Sequence, residues 1–226
     1  MAPHFSSVSV GMAATSSKSR ARSRAKKREI LRKALECFAV HGLEHTTIDM
    51  IRAETGVSVG SLYHHFGNKD AIASAVFIEG MRDFSQRALE YLDQVASSSG
   101  GATEKAERLI KALVYANVDW ISANPNWAQF VFHHRRTVGK AGGASTLNRD
   151  VESFYGKLAA ILGPYVEGGH IRNLPAPLYG SFISGPVHDY ARHWLAGRYA
   201  VPIQDVREEL AEGAWRALNV NDGVRS

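Results

Sequence analysis

Between Gly42 and Lys69 the chain is punctuated so closely that few folds remain open to it. Thr46-Thr47-Ile48-Asp49 has the form of a capping box opening a short helix, and Gly56 suits the left-handed turn that ends one. Two residues later Ser58 stands ready to cap a second short helix reaching about His65, and Asn68 to cap another from Lys69. Upstream, Ile30, Leu31, Ala34, Leu35, Phe38 and Ala39 make one apolar stripe of helical period that stops at Gly42. Two short helices around a glycine turn, with a longer helix across them, are the ingredients of a helix-turn-helix. The second short helix of such a unit must fit a DNA major groove about 12 Å wide, so its outer face has to be small or polar. Ser58, Val59, Gly60, Ser61, Tyr63 and His64 meet that requirement, while Val57, Leu62 and Phe66 supply inward anchors.

Helical signals continue to the end of the chain. The helix from Lys69 should run to about Val95 with Ile72, Val76, Phe84, Leu89 and Leu92 inward, until the Ser97–Ala102 break. A further helix starts near Thr103, and the next has Asn124 as N-cap with Pro125 at its first position. Gly139–Ser145 reads as a loop, followed by a helix from Leu147 to about Val166. Pro175 and Pro177 introduce a helix to about Arg198, which Pro186 should kink at or just before Gly185. Pro202 opens the last, ending near Leu218. β-branched alternation bounded by turns is absent. The expected fold is all-α: a three-helix helix-turn-helix head on a larger C-terminal bundle, about nine helices in all. The expected divisions are a disordered basic arm over 1–25, the head over 26–72, the larger domain over 73–218 and a tail over 219–226.

Charge is unevenly placed. Residues 1–69 carry 11 Lys+Arg against 5 Asp+Glu, whereas the remainder carries 16 against 17. A basic head on a neutral body suits contact with phosphate. Lys18, Arg20, Arg22, Arg24, Lys26, Lys27 and Arg28 precede the first packed stripe, with only Glu29 nearby. This arm reads equally as a segment that follows DNA and as a solubilising tail. No membrane-length apolar stretch and no signal-peptide pattern appears, so a soluble, cytoplasmic protein is expected. The single cysteine, Cys37, leaves no intrachain disulfide, and no Cys/His spacing suggests a metal; no cofactor is expected.

The wording of the segment goes further than its pattern. Cys37-Phe38 through Gly42, Thr46-Thr47-Ile48, Gly56 through Phe66, and Asn68-Lys69-Asp70 together resemble the N-terminal signature of the TetR (tetracycline repressor) family over about 45 residues. Tyr190-Ala191-Arg192-His193-Trp194-Leu195 also looks like segments of some members. The resemblance implies a phosphate contact at Thr47 and base-facing positions at Val59, Gly60 and Ser61. It implies backbone contacts by Tyr63 and His64 and a basic clamp at Lys69. It further implies a homodimer formed through the last two long helices, each copy enclosing a small-molecule cavity. One position departs from the pattern: Arg52 stands where the family has a small residue at the helix crossing, so either it snorkels outward or the helix is rotated.

The last long helices support pairing independently, because Ala176–Arg198 mixes Gly180, Ser181, Ser184, Gly185 and Ala191 with Phe182, Ile183, Tyr190 and Trp194. For the cavity, Trp120, Trp127, Phe130, Tyr155 and His188 are candidate lining residues, although each also reads as ordinary core. No nucleophile elbow, phosphate loop or convergent titratable set suggests catalysis. The expected function is a ligand-responsive repressor that binds a palindromic DNA operator as a homodimer. The alternatives are a TetR-fold activator or chromosome-associated protein without a small-molecule inducer, and a helical enzyme with a DNA-binding head.

Overall fold

The computed structural model describes residues 10–140 and 143–220. They form α1 (Val10–His41), α2 (Ile48–Thr55), α3 (Val59–Phe66), α4 (Lys69–Ala96), α5 (Ala102–Ala123), α6 (Pro125–Lys140), α7 (Ala144–Glu167), α8 (Ala176–Ile183), α9 (Gly185–Leu195) and α10 (Arg207–Leu218), with a 3-10 turn at Ile203–Val206. Extended pairing among the described residues is limited to one bridge, Ile171 with Asn219. The chain divides into two compact units, Met1–Val76 and Phe77–Ser226, and α4 contributes to both. That division falls one helical turn beyond the expected boundary at Ile72.

In the first unit most of the α1 stripe packs as its period demands: Ile30, Leu31, Ala34, Leu35 and Phe38 are buried, with Ile51, Leu62, Ile72 and Val76, whereas Ala39 is exposed. Thr46 is buried too, its hydroxyl donating to the Gly42 carbonyl at 2.8 Å and the Cys37 carbonyl at 3.2 Å, which closes the end of α1. Helix α1 corrects one expectation. It begins at Val10, so residues 10–25 are helical, while 1–9 lie outside the described residues. Ala, Lys and Arg are good helix formers, and a packed segment from Ile30 onward nucleates a helix that such residues can extend.

In the second unit α5 is the central helix, with Leu109, Ile110, Val114, Val118 and Ile121 fully buried and contacts to α6, α7, α8, α9 and α10. Gly80 of α4 shows why a helix tolerates glycine here. A Cβ would be driven into Cδ1 and Nε1 of the Trp127 indole, so the ring rests directly on the α4 backbone. The seam between α5 and α10 is polar. Lys111 reaches Glu107 (2.9 Å), Glu208 (3.3 Å) and Glu212 (2.9 Å), while Tyr115 donates to Glu208 at 2.6 Å. Arg207 stacks on Tyr115 at 4.1 Å and pairs with Asp119 at 3.0 Å, and Asp119 also accepts from Tyr91 of α4.

Three further boundaries differ from expectation. The helix expected over 176–198 is two, broken at Ser184 immediately before Gly185-Pro186, because Pro186 lacks the N–H that would continue the ladder. With this break, ten α-helices are named among the described residues, in keeping with the expected all-α fold of about nine. The expected Gly139–Ser145 loop is shorter, since α6 reaches Lys140 and α7 starts at Ala144; residues 141–142 lie outside the described residues. Pro202 opens the 3-10 turn instead of the last helix, and the expected tail is described only to Val220. No helix among the described residues is long and apolar enough to cross a membrane.

Candidate nucleic-acid interface

The turn between α2 and α3 is built by its caps. The Thr47 hydroxyl accepts from the Met50 amide at 3.2 Å and starts α2. Gly56 ends it with φ +67°, a left-handed conformation that costs other residues a Cβ clash, and its amide donates to the Arg52 carbonyl at 3.0 Å. Ser58 then accepts from the Ser61 amide at 3.2 Å and starts α3. Asn68 takes the same role for α4, accepting from Ala71 at 2.8 Å. Lys33 donates from α1 to the Glu54 carbonyl at 3.0 Å, a cation at the α2 C-terminus where the helix dipole favours it.

Helix α3 is eight residues long with two contrasting faces. Leu62 is fully buried and Phe66 half-buried, which anchors it, and Val59 keeps part of its surface exposed at the start of the helix. Gly60, Tyr63, His64 and Gly67 follow the i, i+3, i+4, i+7 spacing and are all exposed, with Tyr63 at 52%. Ser58 and Thr47 are exposed and Ser61 is half-buried. Gly60 has nothing within 4 Å of where a Cβ would stand.

Two residues sit differently from what the motif suggested. Lys69 is tied down: its ammonium donates to the Leu43 carbonyl at 2.9 Å and the Glu44 carbonyl at 3.0 Å, so it pins the turn between α1 and α2. Arg52 is exposed and lies 3.6 Å from Asp49, while Ile51 takes the buried place, so the long side chain leaves the crossing, the outward course of the two expected for it. Asp49 therefore faces Arg52, and the Thr47 hydroxyl caps without help from a complete capping box.

In the second unit Trp120, Trp127 and Phe130 are buried. Trp120 donates from Nε1 to Asp83 at 2.9 Å and meets Phe84 edge-on at 5.9 Å. Phe130 lies 4.6 Å from the His134 ring, beside the point where α6 kinks. His188 of α9 is bonded to Asn117 of α5 at 3.2 Å and packs on Phe132 of α6 at 5.1 Å. Burial, reinforced by Arg192, pushes His188 down to about 4, so it is neutral at pH 7. Tyr155 stands apart at 56% exposure: one residue along α7, Phe154 takes the inward phase and meets Phe84 at 6.1 Å. Asn117, 2% exposed, was missed from sequence. An asparagine inside the apolar run Ala112–Val118 was the available signal.

These parts define a helix-turn-helix head followed by a helical second unit. Residues 30–76 match the model for bacterial regulatory proteins of the tetR family. The match falls on the helix-turn-helix head and covers 47 of the 226 residues. It is 37% identical over 65 residues to the HTH-type transcriptional repressor AcnR of Corynebacterium jeikeium. That match takes in 29% of this chain and 34% of the relative, so the chain spans about a third of the curated relative's length. Among solved structures, the fatty acid degradation regulator FadR of Bacillus halodurans shares the fold at TM-score 0.66 and 19% identity, over 84% of this chain and 94% of that one. FadR of Bacillus subtilis, solved in complex with stearoyl-CoA, shares it at TM-score 0.63 and 19% identity, over 86% and 98%.

Proposed function

We infer that the protein is a ligand-responsive transcriptional repressor that binds a palindromic DNA operator as a homodimer in the cytoplasm, with no catalytic step. The observation that carries this is Gly60. Its backbone is ordinary helix and a Cβ there would touch nothing, so the fold has no use for glycine at a position where alanine is the better helix former. A partner surface that approaches the α3 backbone accounts for it, and an exposed face of Gly60, Tyr63 and His64 suits a major groove. In this reading Val59 and Ser61 meet base edges. Thr47, Ser58, Tyr63 and His64 meet phosphates with the helix N-termini, and Lys69 orders the turn that carries Thr47.

The effector site in this reading lies among Trp120, Trp127 and Phe130, with Asn117 and His188 as its polar groups. Such a lining suits a mostly apolar ligand with one hydrogen-bonding end, and the stearoyl-CoA of the Bacillus subtilis complex includes a long acyl chain of the apolar kind such a lining would take. Helix α4 has residues in both units, so ligand binding in one is transmitted along it to the other. The dimer forms through 176–198 and 202–218. Ala191 is fully buried within its own unit, so α9 meets a partner through other positions.

The test is Gly60→Leu, measured by anisotropy on an operator duplex and on a random one. The variant folds like the parent and loses at least about 100-fold in operator affinity while keeping its random-duplex binding. Unchanged operator affinity overturns the assignment of α3.

A further inference from the structure

Helix α1 is two segments in one. From Ile30 onward it packs; before that, every described side chain from Arg22 to Glu29 is exposed. The helix starts at Val10, so 20 residues precede Ile30, a rod of about 30 Å at 1.5 Å per residue. Its chemistry is one-sided. The chain has no acidic residue before Glu29, while Lys18, Arg20, Arg22, Arg24, Lys26, Lys27 and Arg28 all fall in this segment.

Two features show that this rod is not an ordinary solvated helix face. Arg22 with Lys26 and Arg24 with Arg28 are like charges four residues apart, a spacing that destabilises an isolated helix. In addition, successive helical positions are about 100° apart, so Arg22, Arg24, Lys26, Lys27 and Arg28 spread over about two thirds of the circumference. A surface helix is charged on one side, whereas charge spread this widely can be matched by anions on more than one side. The two phosphate rows bordering a DNA groove supply that arrangement, and neutralising them would remove the repulsion within the helix. Between Lys18 and Glu29 there is no large apolar residue, so nothing in this stretch can insert into a lipid surface. The root of the rod is also placed: the Lys27 ammonium lies 5.5 Å from the ring of Phe66, the last residue of α3.

We propose that residues 10–29 of α1 are a second DNA-binding element, a basic helix that lies along a groove of the duplex beside the segment met by α3. This rests on the DNA-binding reading only for where the duplex runs. The element carries no sequence readout. It extends the footprint by up to about nine base pairs beyond the α3 contact if it follows the duplex axis, at about 3.4 Å per pair.

The experiment compares the full chain with the triple variant Arg22→Gln/Arg24→Gln/Lys26→Gln, which keeps good helix formers, and with a chain lacking residues 1–21. The probe is a 40-base-pair random duplex, titrated by anisotropy between 50 and 200 mM salt, with vesicles containing phosphatidylserine as a second probe. Each neutralised phosphate contributes about 0.9 to the slope of log affinity against log salt, so the triple variant should flatten it by about 2.7. The truncation should flatten it further and shorten a nuclease footprint. A slope within about 0.5 of the parent for both variants overturns the proposal, as does a loss seen on vesicles and not on DNA. The two readings fail separately: operator affinity in Gly60→Leu decides the α3 assignment, and the salt slopes of the two arm variants decide this one. Were Gly60→Leu to change nothing, the α3 assignment would fall while the slope still decided this one.

Discussion

His188 gives a stability prediction with a defined pH window. Its Nε2 faces the Asn117 amide nitrogen at 3.2 Å, and an amide nitrogen can only donate, so Nε2 accepts and the neutral ring carries its proton on Nδ1. Protonating Nε2 would set two donors against each other beside Asn117, where there is almost no water to separate them. The folded value of about 4 lies below the ordinary 6.5. Above pH 6.5 both folded and unfolded chains carry the neutral ring, and His188 contributes no pH dependence. As pH falls from 6.5 to 4 the unfolded chain takes up a proton that the folded chain refuses, so stability drops by about 1.4 kcal/mol per pH unit, about 3 kcal/mol in all. Below 4 the slope vanishes. All four tryptophans (120, 127, 194, 215) lie in the second unit, so their fluorescence during urea unfolding reports that unit alone. The parent should be compared with His188→Gln from pH 7.5 to 4.0, and their difference should grow by one proton's slope across the window. Parallel curves, or a His188 ring signal titrating above pH 6 by NMR, would refute the reasoning.

Other expectations follow from single contacts. Gly80→Ala should destabilise the second unit by about 1–3 kcal/mol despite alanine's better helix propensity, because the indole of Trp127 occupies the Cβ position; thermal melts followed by tryptophan emission measure it, and a gain in stability contradicts the packing. Lys111→Met should cost about 1–2 kcal/mol at pH 7 by leaving Glu107, Glu208 and Glu212 facing one another. That cost should shrink as pH falls below the ordinary 4.5, where Glu208, held down by Tyr115 and Lys111, and Glu212, held down by Lys111, take up protons in the parent; a cost independent of pH points to lost packing alone. Ser58→Ala should weaken the head by about 1 kcal/mol, visible as faster amide exchange in α3, and equal exchange rates would show that the cap is idle.

What the residues disclosed in advance was local. Thr47, Gly56, Ser58 and Asn68 each act within three or four positions of themselves, so α2, α3 and the start of α4 were legible to within a residue. The N-terminal end of α1 was not, because a polar run has no apolar period to mark it and its helicity depends on the packed segment it continues. Pro186 announced a disturbance near Gly185, but whether a proline kinks or breaks a helix depends on packing around Ser184 that no local pattern encodes. The same limit applies to side-chain partners far apart in sequence. Lys69 meets carbonyls 25 and 26 positions away, and Asn117 and His188 are 71 apart. Tyr155 and Phe154 are adjacent aromatics, and only the phase of α7 against α4 distinguishes the inward one.

The central claim, that α3 of a paired molecule reads DNA, is tested most directly by selecting bound duplexes from a random library with the parent chain and with Gly60→Leu in parallel. The account predicts that the parent enriches one dyad-symmetric site with half-site centres about one DNA turn apart, roughly 34–36 Å, and that Gly60→Leu enriches none. No enrichment by the parent, or the same site recovered by both chains, would contradict it.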